Sequence, residues 1–309
     1  MQLSNKYWHS NGKLLLSGEY LVLKGATALA IPINKGQSLE VNEFSGRGEI
    51  YWQATHENGK WFEANLKINE LSKIKANSSP EQKKLQQILN CCLELNPEFL
   101  DVHKNYNIKT NLEFSHEYGF GSSSTLINNL SKWSNINPYE LLAKTFGGSG
   151  YDIACADSKK PLLFKLENDK KIIEEVDFYP DFYEGLYFVY LGKKQRSSES
   201  IKEFNKNAAY SEREIKRISE ISMAICEADN IENFNELIDE HEEIMSKILN
   251  MQSVKSLFFN DLPGSSKSLG AWGGDFALIS CRLNKTEIKE YLISKGLTTF
   301  YTFKELLVF

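Results

Sequence analysis

The sequence predicts an α+β protein of two domains, and three observations carry that prediction. At 309 residues the chain is longer than one ordinary core serves, since domains run at roughly 150 residues each. Strand-like alternation and helical spacing are interleaved along the first half. A second series of strand and helix patterns begins near residue 180, which places the domains at 1–180 and 181–309. Strands and helices mixed in this way read as helices covering a sheet.

The first half opens with the apolar run 14–23, interrupted by Gly18 and Glu19. Ile50, Trp52 and Ala54 alternate ahead of Asn58-Gly59, the pair that most favours a hairpin turn, and Trp61-Phe62 follows. The segment 72–84 is polar and reads as a mobile loop. Leu85, Ile88, Leu89, Cys92 and Leu93 keep helical spacing. Tyr106, Ile108, Thr110, Leu112 and Phe114 share one face of a half-buried strand. Leu126, Ile127, Leu130 and Trp133 mark a second helix, and Asn137-Pro138 opens a third through Phe146.

In the second half, residues 185–192 form a buried strand. Ser211 and Glu214 have capping-box spacing ahead of Ile215 and Ile218. Phe234, Leu237, Ile238, His241, Met245 and Ile248 trace an amphipathic helix. The order expected here is strand, two helices, strand at 276–279, helix at 284–295, and a last strand.

Composition narrows the class. Hydrophobic residues make up 41% of the chain, enough for a core, which excludes wholesale disorder. Thirty-six basic against 41 acidic residues argue against a nucleic-acid binder. No apolar stretch is long enough to span a bilayer, and the first residues lack a secretory pattern. Five cysteines without C-x-x-C spacing read as reduced, buried thiols, so a cytoplasmic location is expected.

Four glycine-bearing segments carry the chemistry. Residues 119–126, GFGSSSTL, join a strand to an amphipathic helix. Gly119 and Gly121 let the backbone approach a ligand, and the helix N-terminus adds free N–H donors and a positive dipole end. Together they suit a phosphate. A plain Gly-Ser turn with a serine cap is the other reading. Ser122 and Ser123 offer hydroxyls for capping or for Mg²⁺. The remaining segments are 12–25, GKLLLSGEYLVLKG; 147–156, GGSGYDIACA; and 269–280, LGAWGGDFALIS. Asp152 in the second of these sits in a flexible turn that can set a carboxylate against an acceptor hydroxyl, although such an aspartate also caps turns. His241 on an apolar helix face reads more readily as a core histidine than as a catalyst.

Those four segments, in that order, resemble the motifs of the GHMP kinases, the superfamily of galactokinase, homoserine kinase, mevalonate kinase and phosphomevalonate kinase. The Gly-Ser-Gly-Tyr-Asp and Gly-Gly-Asp runs resemble the mevalonate and phosphomevalonate kinase branch most. A softer match is 188–201, which resembles the turn beside the acceptor. The resemblance implies a ribosomal-S5-like N-terminal domain, a ferredoxin-like C-terminal domain and a cleft site holding ATP and Mg²⁺. It implies Asp152 and Lys13 as the catalytic pair, and Gly119, Gly121, Ser122, Ser123 and Ser124 around the nucleotide, with Ser123 on the metal. Glu19, Ser149, Arg196, Gly273 and Gly274 fall to the acceptor, with a structural ion pair as the alternative for Glu19. A small anionic acceptor such as mevalonate or phosphomevalonate is expected, hence a role in isoprenoid biosynthesis, in a monomer or homodimer without nucleic-acid or membrane partners.

Departures exist. Phe120 stands for a leucine, Ser124-Thr125 for alanines, Glu117-Tyr118 where a proline is common, and Trp272 for a small residue. Only Glu140 lies near the position of the family's second Mg²⁺ ligand. A mevalonate diphosphate decarboxylase-like enzyme and a non-catalytic sensor on the same fold are the alternatives; the presence of the Asp152 segment counts against both.

Overall fold

The computed structural model describes residues 4–168, 170–193 and 197–307, and the chain divides into two compact units. The first takes the chain up to Gly12, Lys35–His116 and Gly121–Asp157. The second takes Lys13–Asn34, Glu117–Phe120 and the chain from Ser158 onward.

The elements run β1 (Ser4–Leu15), β2 (Ala28–Ser45), β3 (Glu49–His56), β4 (Gly59–Lys67), α1 (Pro80–Leu95), β5 (Lys104–Leu112), α2 (Ser122–Ser134), α3 (Pro138–Thr145) and α4 (Tyr151–Asp157). Then come β6 (Leu162–Glu167), β7 (Lys170–Glu175), β8 (Leu186–Tyr190), α5 (Ser197–Asn207), α6 (Glu212–Cys226), α7 (Ile231–Leu249) and α8 (Val254–Phe258). The last are β9 (Gly264–Leu269), β10 (Phe276–Cys281), α9 (Lys285–Ser294), β11 (Phe300–Thr302) and α10 (Phe303–Leu306).

In the first unit the strands lie in the order β4-β3-β5-β2, with β5 antiparallel to β2 and parallel to β3. The alternation read from sequence is what buries one face: Tyr106, Ile108, Thr110 and Leu112 are all interior. Val41, Ile50, Trp52 and Ile108 form one core with Ile88 and Leu89 of α1 and Ile127 and Leu130 of α2. In the second unit the first residues of β2 pair with β6, and β6 pairs with β7. A separate antiparallel sheet has the order β11-β8-β10-β9. Numbered along the chain, that order is 4-1-3-2, the ferredoxin-like arrangement that the family resemblance implies. The fold is the α+β class expected.

Several elements differ from the sequence reading. The run at 14–23 is a strand only to Leu15; Gly18 (φ 85°) and Tyr20 (φ 60°) then turn the chain into a 3-10 turn at Leu21–Lys24. The hairpin forms one residue earlier than Asn58-Gly59 suggests. His56 pairs with Gly59, a bulge at Ala54/Thr55 shifts the register, and Gly59 takes the positive φ. The last five residues of the polar segment 72–84 are the first turns of α1, capped by Ser79 accepting from the Gln82 N–H. Between β8 and β10 the sequence missed α8 and β9, the latter because its residues 265–268 are polar yet buried.

Candidate active site

In the first unit, Gly121 caps α2 in the left-handed region (φ 88°, ψ 37°), and no side chain caps the helix. The N–H groups of its first turn have no intrahelical acceptor, and they sit at the positive end of the helix dipole. The Ser124 hydroxyl is committed elsewhere, donating to the Gly121 carbonyl at 2.8 Å. Thr125 Oγ1 lies 2.7 Å from Gln37 Oε1 and 3.0 Å from the Ser122 carbonyl. Both residues are buried, whereas Ser122 is half-buried and Ser123 exposed. Of the three serines, Ser123 presents the open hydroxyl, and Ser124 offers an anion its N–H alone.

Asp152 stands in the first turn of α4, half-buried, its Oδ1 accepting from the Ile153 N–H at 3.0 Å. The turn before it winds through Gly147, Gly148 and Gly150, all at positive φ. A Cβ at Gly147 or Gly148 would meet nothing within 4 Å, so the backbone conformation, and not space, calls for glycine there. Ser149 is buried and accepts weakly from the Tyr151 N–H at 3.5 Å. Burial, and after it the Asp152 charge, pushes the Tyr139 hydroxyl up to about 12. A phenol that keeps its proton therefore neighbours the carboxylate; no motif pointed to it.

In the second unit, Lys13 is tied to the start of the glycine-rich loop. Its N–H donates to the Phe120 carbonyl at 2.9 Å and its Nζ to the Gly119 carbonyl at 2.8 Å. Gly119 owes its identity to a neighbour and not to a positive φ: a Cβ there would lie 2.5 Å from Asp275 Oδ2. Phe120 is fully buried and stacks on Phe276 with ring centroids 4.5 Å apart.

Glu19 does not face outward. It is 1% exposed and pairs with Lys267 of β9, itself fully buried. The ion pair named as the alternative for Glu19 is present in the structure. Burial also pushes its carboxyl up to about 7, against the pull of Lys267. Its Oε2 lies 3.2 Å from Nε2 of His241, which accepts the Gly18 N–H at 3.0 Å. Burial, then the Lys267 charge, holds His241 well below the usual imidazole range, so it is neutral with its proton assigned to Nδ1. His241 is a core histidine. Next to it Glu242 accepts from the Val254 N–H, the Ser268 N–H and the Ser268 hydroxyl.

The loop joining β9 to β10 holds Gly273, exposed and at φ 87°, and Gly274, buried. Trp272 is buried beside them. Asp275 anchors this loop to the turn after β8, donating its N–H to the Lys193 carbonyl at 2.6 Å and accepting from the Leu191 N–H at 2.8 Å. Arg196, with Lys194, lies outside the described residues. Among the described residues no cluster of three His, Cys, Asp or Glu could hold a metal, and Glu140 is exposed. Mg²⁺ fits such a site only through Ser123, phosphate oxygens and water, a coordination it tolerates.

No helix among the described residues is long and apolar enough to cross a membrane. The fold matches solved structures of mevalonate kinase, phosphomevalonate kinase and galactokinase over nearly the whole chain. The chain is similar to phosphomevalonate kinase from Streptococcus pneumoniae in complex with phosphomevalonate and AMPPNP (TM-score 0.71, 16% identity, covering 96% of this chain and 99% of that one). It is similar to Methanococcus jannaschii mevalonate kinase (TM-score 0.69, 18% identity, 99% of each chain). It is also similar to Lactococcus lactis galactokinase complexed with galactose (TM-score 0.69, 12% identity, 99% of this chain and 94% of that one). No family model and no curated protein matches the sequence.

Proposed function

We propose that the protein is an ATP-dependent small-molecule kinase. The observation that carries this reading is the start of α2: a left-handed Gly121, unpaired first-turn N–H groups and an exposed Ser123 hydroxyl. Phosphoryl transfer asks a protein for positioning and charge neutralisation more than for covalent chemistry. The first-turn N–H groups would bind the nucleotide phosphates. Ser123 would hold Mg²⁺, which when bound supplies charge neutralisation on those phosphates. Asp152, held by its turn of left-handed glycines, would accept the proton of an acceptor hydroxyl or orient that hydroxyl. Lys13 would set a positive charge at Gly119, near the transferred group. Glu19 acts through Lys267 in shaping the second unit and touches no substrate.

For the acceptor we propose a small anion such as mevalonate or phosphomevalonate, and with it a cytoplasmic role in isoprenoid synthesis. Lys193, Lys194 and Arg196 lie within four positions of one another in the sequence after β8, a basic run that suits a carboxylate or phosphate. The galactokinase fold match allows a sugar instead, so the assay offers both. Coupled ADP release is measured with mevalonate, phosphomevalonate, homoserine and galactose in parallel. Turnover with an anionic acceptor, and a raised acceptor KM in Arg196→Ala at unchanged ATP KM, is the expected outcome. ADP release with galactose alone overturns the acceptor assignment, and none with any acceptor, together with no AMPPNP binding, overturns the kinase.

A further inference from the structure

Strand β7 stands at the end of its sheet, paired with β6 alone. All six of its residues are exposed, including Ile172 at 45% and Ile173 at 43%. Two facts give the phase of its ladder. The β6–β7 register runs without a shift from Glu167↔Lys170 to Leu162↔Glu175, and one step further the Val176 N–H donates to the Pro161 carbonyl at 2.8 Å. Hydrogen-bonded pairs alternate in an antiparallel ladder. Lys170, Ile172 and Glu174 therefore turn their backbone groups toward β6, and Lys171, Ile173 and Glu175 turn theirs outward. Among the described residues no backbone partner meets the outward N–H of Ile173 or Glu175.

An open edge with two isoleucines invites another strand, and proteins ordinarily guard such edges with charge. Charges of one sign would repel an antiparallel second copy. The sequence Lys-Lys-Ile-Ile-Glu-Glu of β7 does the reverse, with basic residues at one end and acidic residues at the other.

We propose that β7 is a homodimer contact, pairing antiparallel with β7 of a second copy about a two-fold axis through Ile173. Such an axis stands perpendicular to the sheet and brings residues of the same face together. In this register Ile173 faces Ile173 of the second copy. Lys171 faces Glu175 of the second copy, and Glu175 faces its Lys171. The outward backbone N–H groups of Ile173 and Glu175 then find acceptors. On the opposite face Ile172 meets the aliphatic stem of Glu174. The contact is isologous and closed, so it ends at two copies. A single six-residue strand pair is smaller than a standard interface, so a Kd of about 1–100 µM is expected. The inference is independent of the acceptor and of catalysis.

Sedimentation velocity on the full chain from about 1 to 300 µM tests it. The expected result is a monomer that becomes a dimer across that range. Ile173→Lys sets two ammonium groups opposite each other and should weaken the dimer at least about tenfold. Lys171→Glu and Glu175→Lys should each weaken it, and together they should restore it, since the ion pairs re-form with signs exchanged. Glu175 also accepts from the Ser158 hydroxyl at 3.0 Å, a local bond lost in Glu175→Lys and in the double variant alike but kept in Lys171→Glu, so a double variant that dimerises better than Glu175→Lys isolates the dimer contact. Circular dichroism should show every variant folded, because the side chains are exposed. A wild type that stays monomeric to the top concentration overturns the proposal. So does a dimer that Ile173→Lys leaves unchanged, or a double variant no better than its parents.

Discussion

Lys267→Met would remove an ammonium from a pair whose side chains are 0% and 1% exposed. Water does not screen that pair, so the discount that applies to surface ion pairs does not apply here. An unpaired charge left in the interior costs about 3–5 kcal/mol. Glu19→Met leaves the opposite charge alone and should cost a similar amount. With both replaced, no buried charge remains, and stability should return to the wild-type value or exceed it, because desolvation of the pair roughly offsets its attraction. For a domain of this size about 1 kcal/mol moves Tm by roughly 2–4 °C, so each single variant should melt about 6–20 °C lower. The deficit of Lys267→Met depends on pH. Without the ammonium the buried Glu19 carboxyl stays above its ordinary value of 4.5, so the folded protein binds a proton that the unfolded chain has released. The deficit therefore shrinks as pH falls from 8 toward 5. Thermal unfolding of the wild type, both singles and the double at pH 5, 6, 7 and 8 is the assay. Single variants costing under about 1 kcal/mol, or a double as damaged as the two singles summed, would refute the buried-pair account.

Asp152→Asn should leave AMPPNP affinity nearly intact and lower kcat by roughly 100-fold or more; near-normal turnover would remove Asp152 from the reaction. Gly121→Val should abolish nucleotide binding in calorimetry while the protein stays folded, since its left-handed φ of 88° disfavours a β-branched residue. Unchanged affinity would sink the phosphate cradle. Gly119→Ala forces Asp275 to move, since the new Cβ would stand 2.5 Å from its carboxylate; a variant with wild-type Tm would show that this contact carries no strain. For His241 the folded value lies well below 6.5, so the unfolded chain gains a proton below that pH which the folded chain refuses. Its stabilisation is present above pH 6.5 and lost on acidification, so the cost of His241→Gln should shrink between pH 7 and pH 5; a cost that grows would contradict the neutral assignment.

Glycine-dependent geometry was legible in the sequence because glycine is the residue that positive φ selects. The turns at Gly121 and at Gly147 to Gly150 stand where the motifs place them. Alternation exposed β5 because one side of it is apolar and buried. Strand β9 left no such trace: Ser265, Ser266, Lys267 and Ser268 are buried as polar residues. The partners of Ser265, Lys267 and Ser268, namely Asp239, Glu19 and Glu242, come from other elements of the chain. Glu19 illustrates the same limit. A glutamate interrupting an apolar run must be paired, but its partner lies 248 residues away, and no local pattern distinguishes a buried pair from a substrate contact. The crowding at Gly119 left no trace in the sequence, because it comes from Asp275, on the far side of the β9–β10 loop.

Residues 119–120 are held by two hydrogen bonds from Lys13 and by the Phe120–Phe276 stack. A loop fixed in this way loses little conformational freedom when an anion binds, and pre-organisation of this kind raises affinity without adding a contact. The arrangement also gives Lys13 two separable tasks. Its Nζ closes the loop on the Gly119 carbonyl, and in the proposed reaction the same atom would position a charge. A lost rate in Lys13→Met would therefore combine weaker charge stabilisation with a receptor that must be ordered anew at each encounter. Lys13→Arg, which keeps the charge and a donor but alters the reach, would divide those two losses.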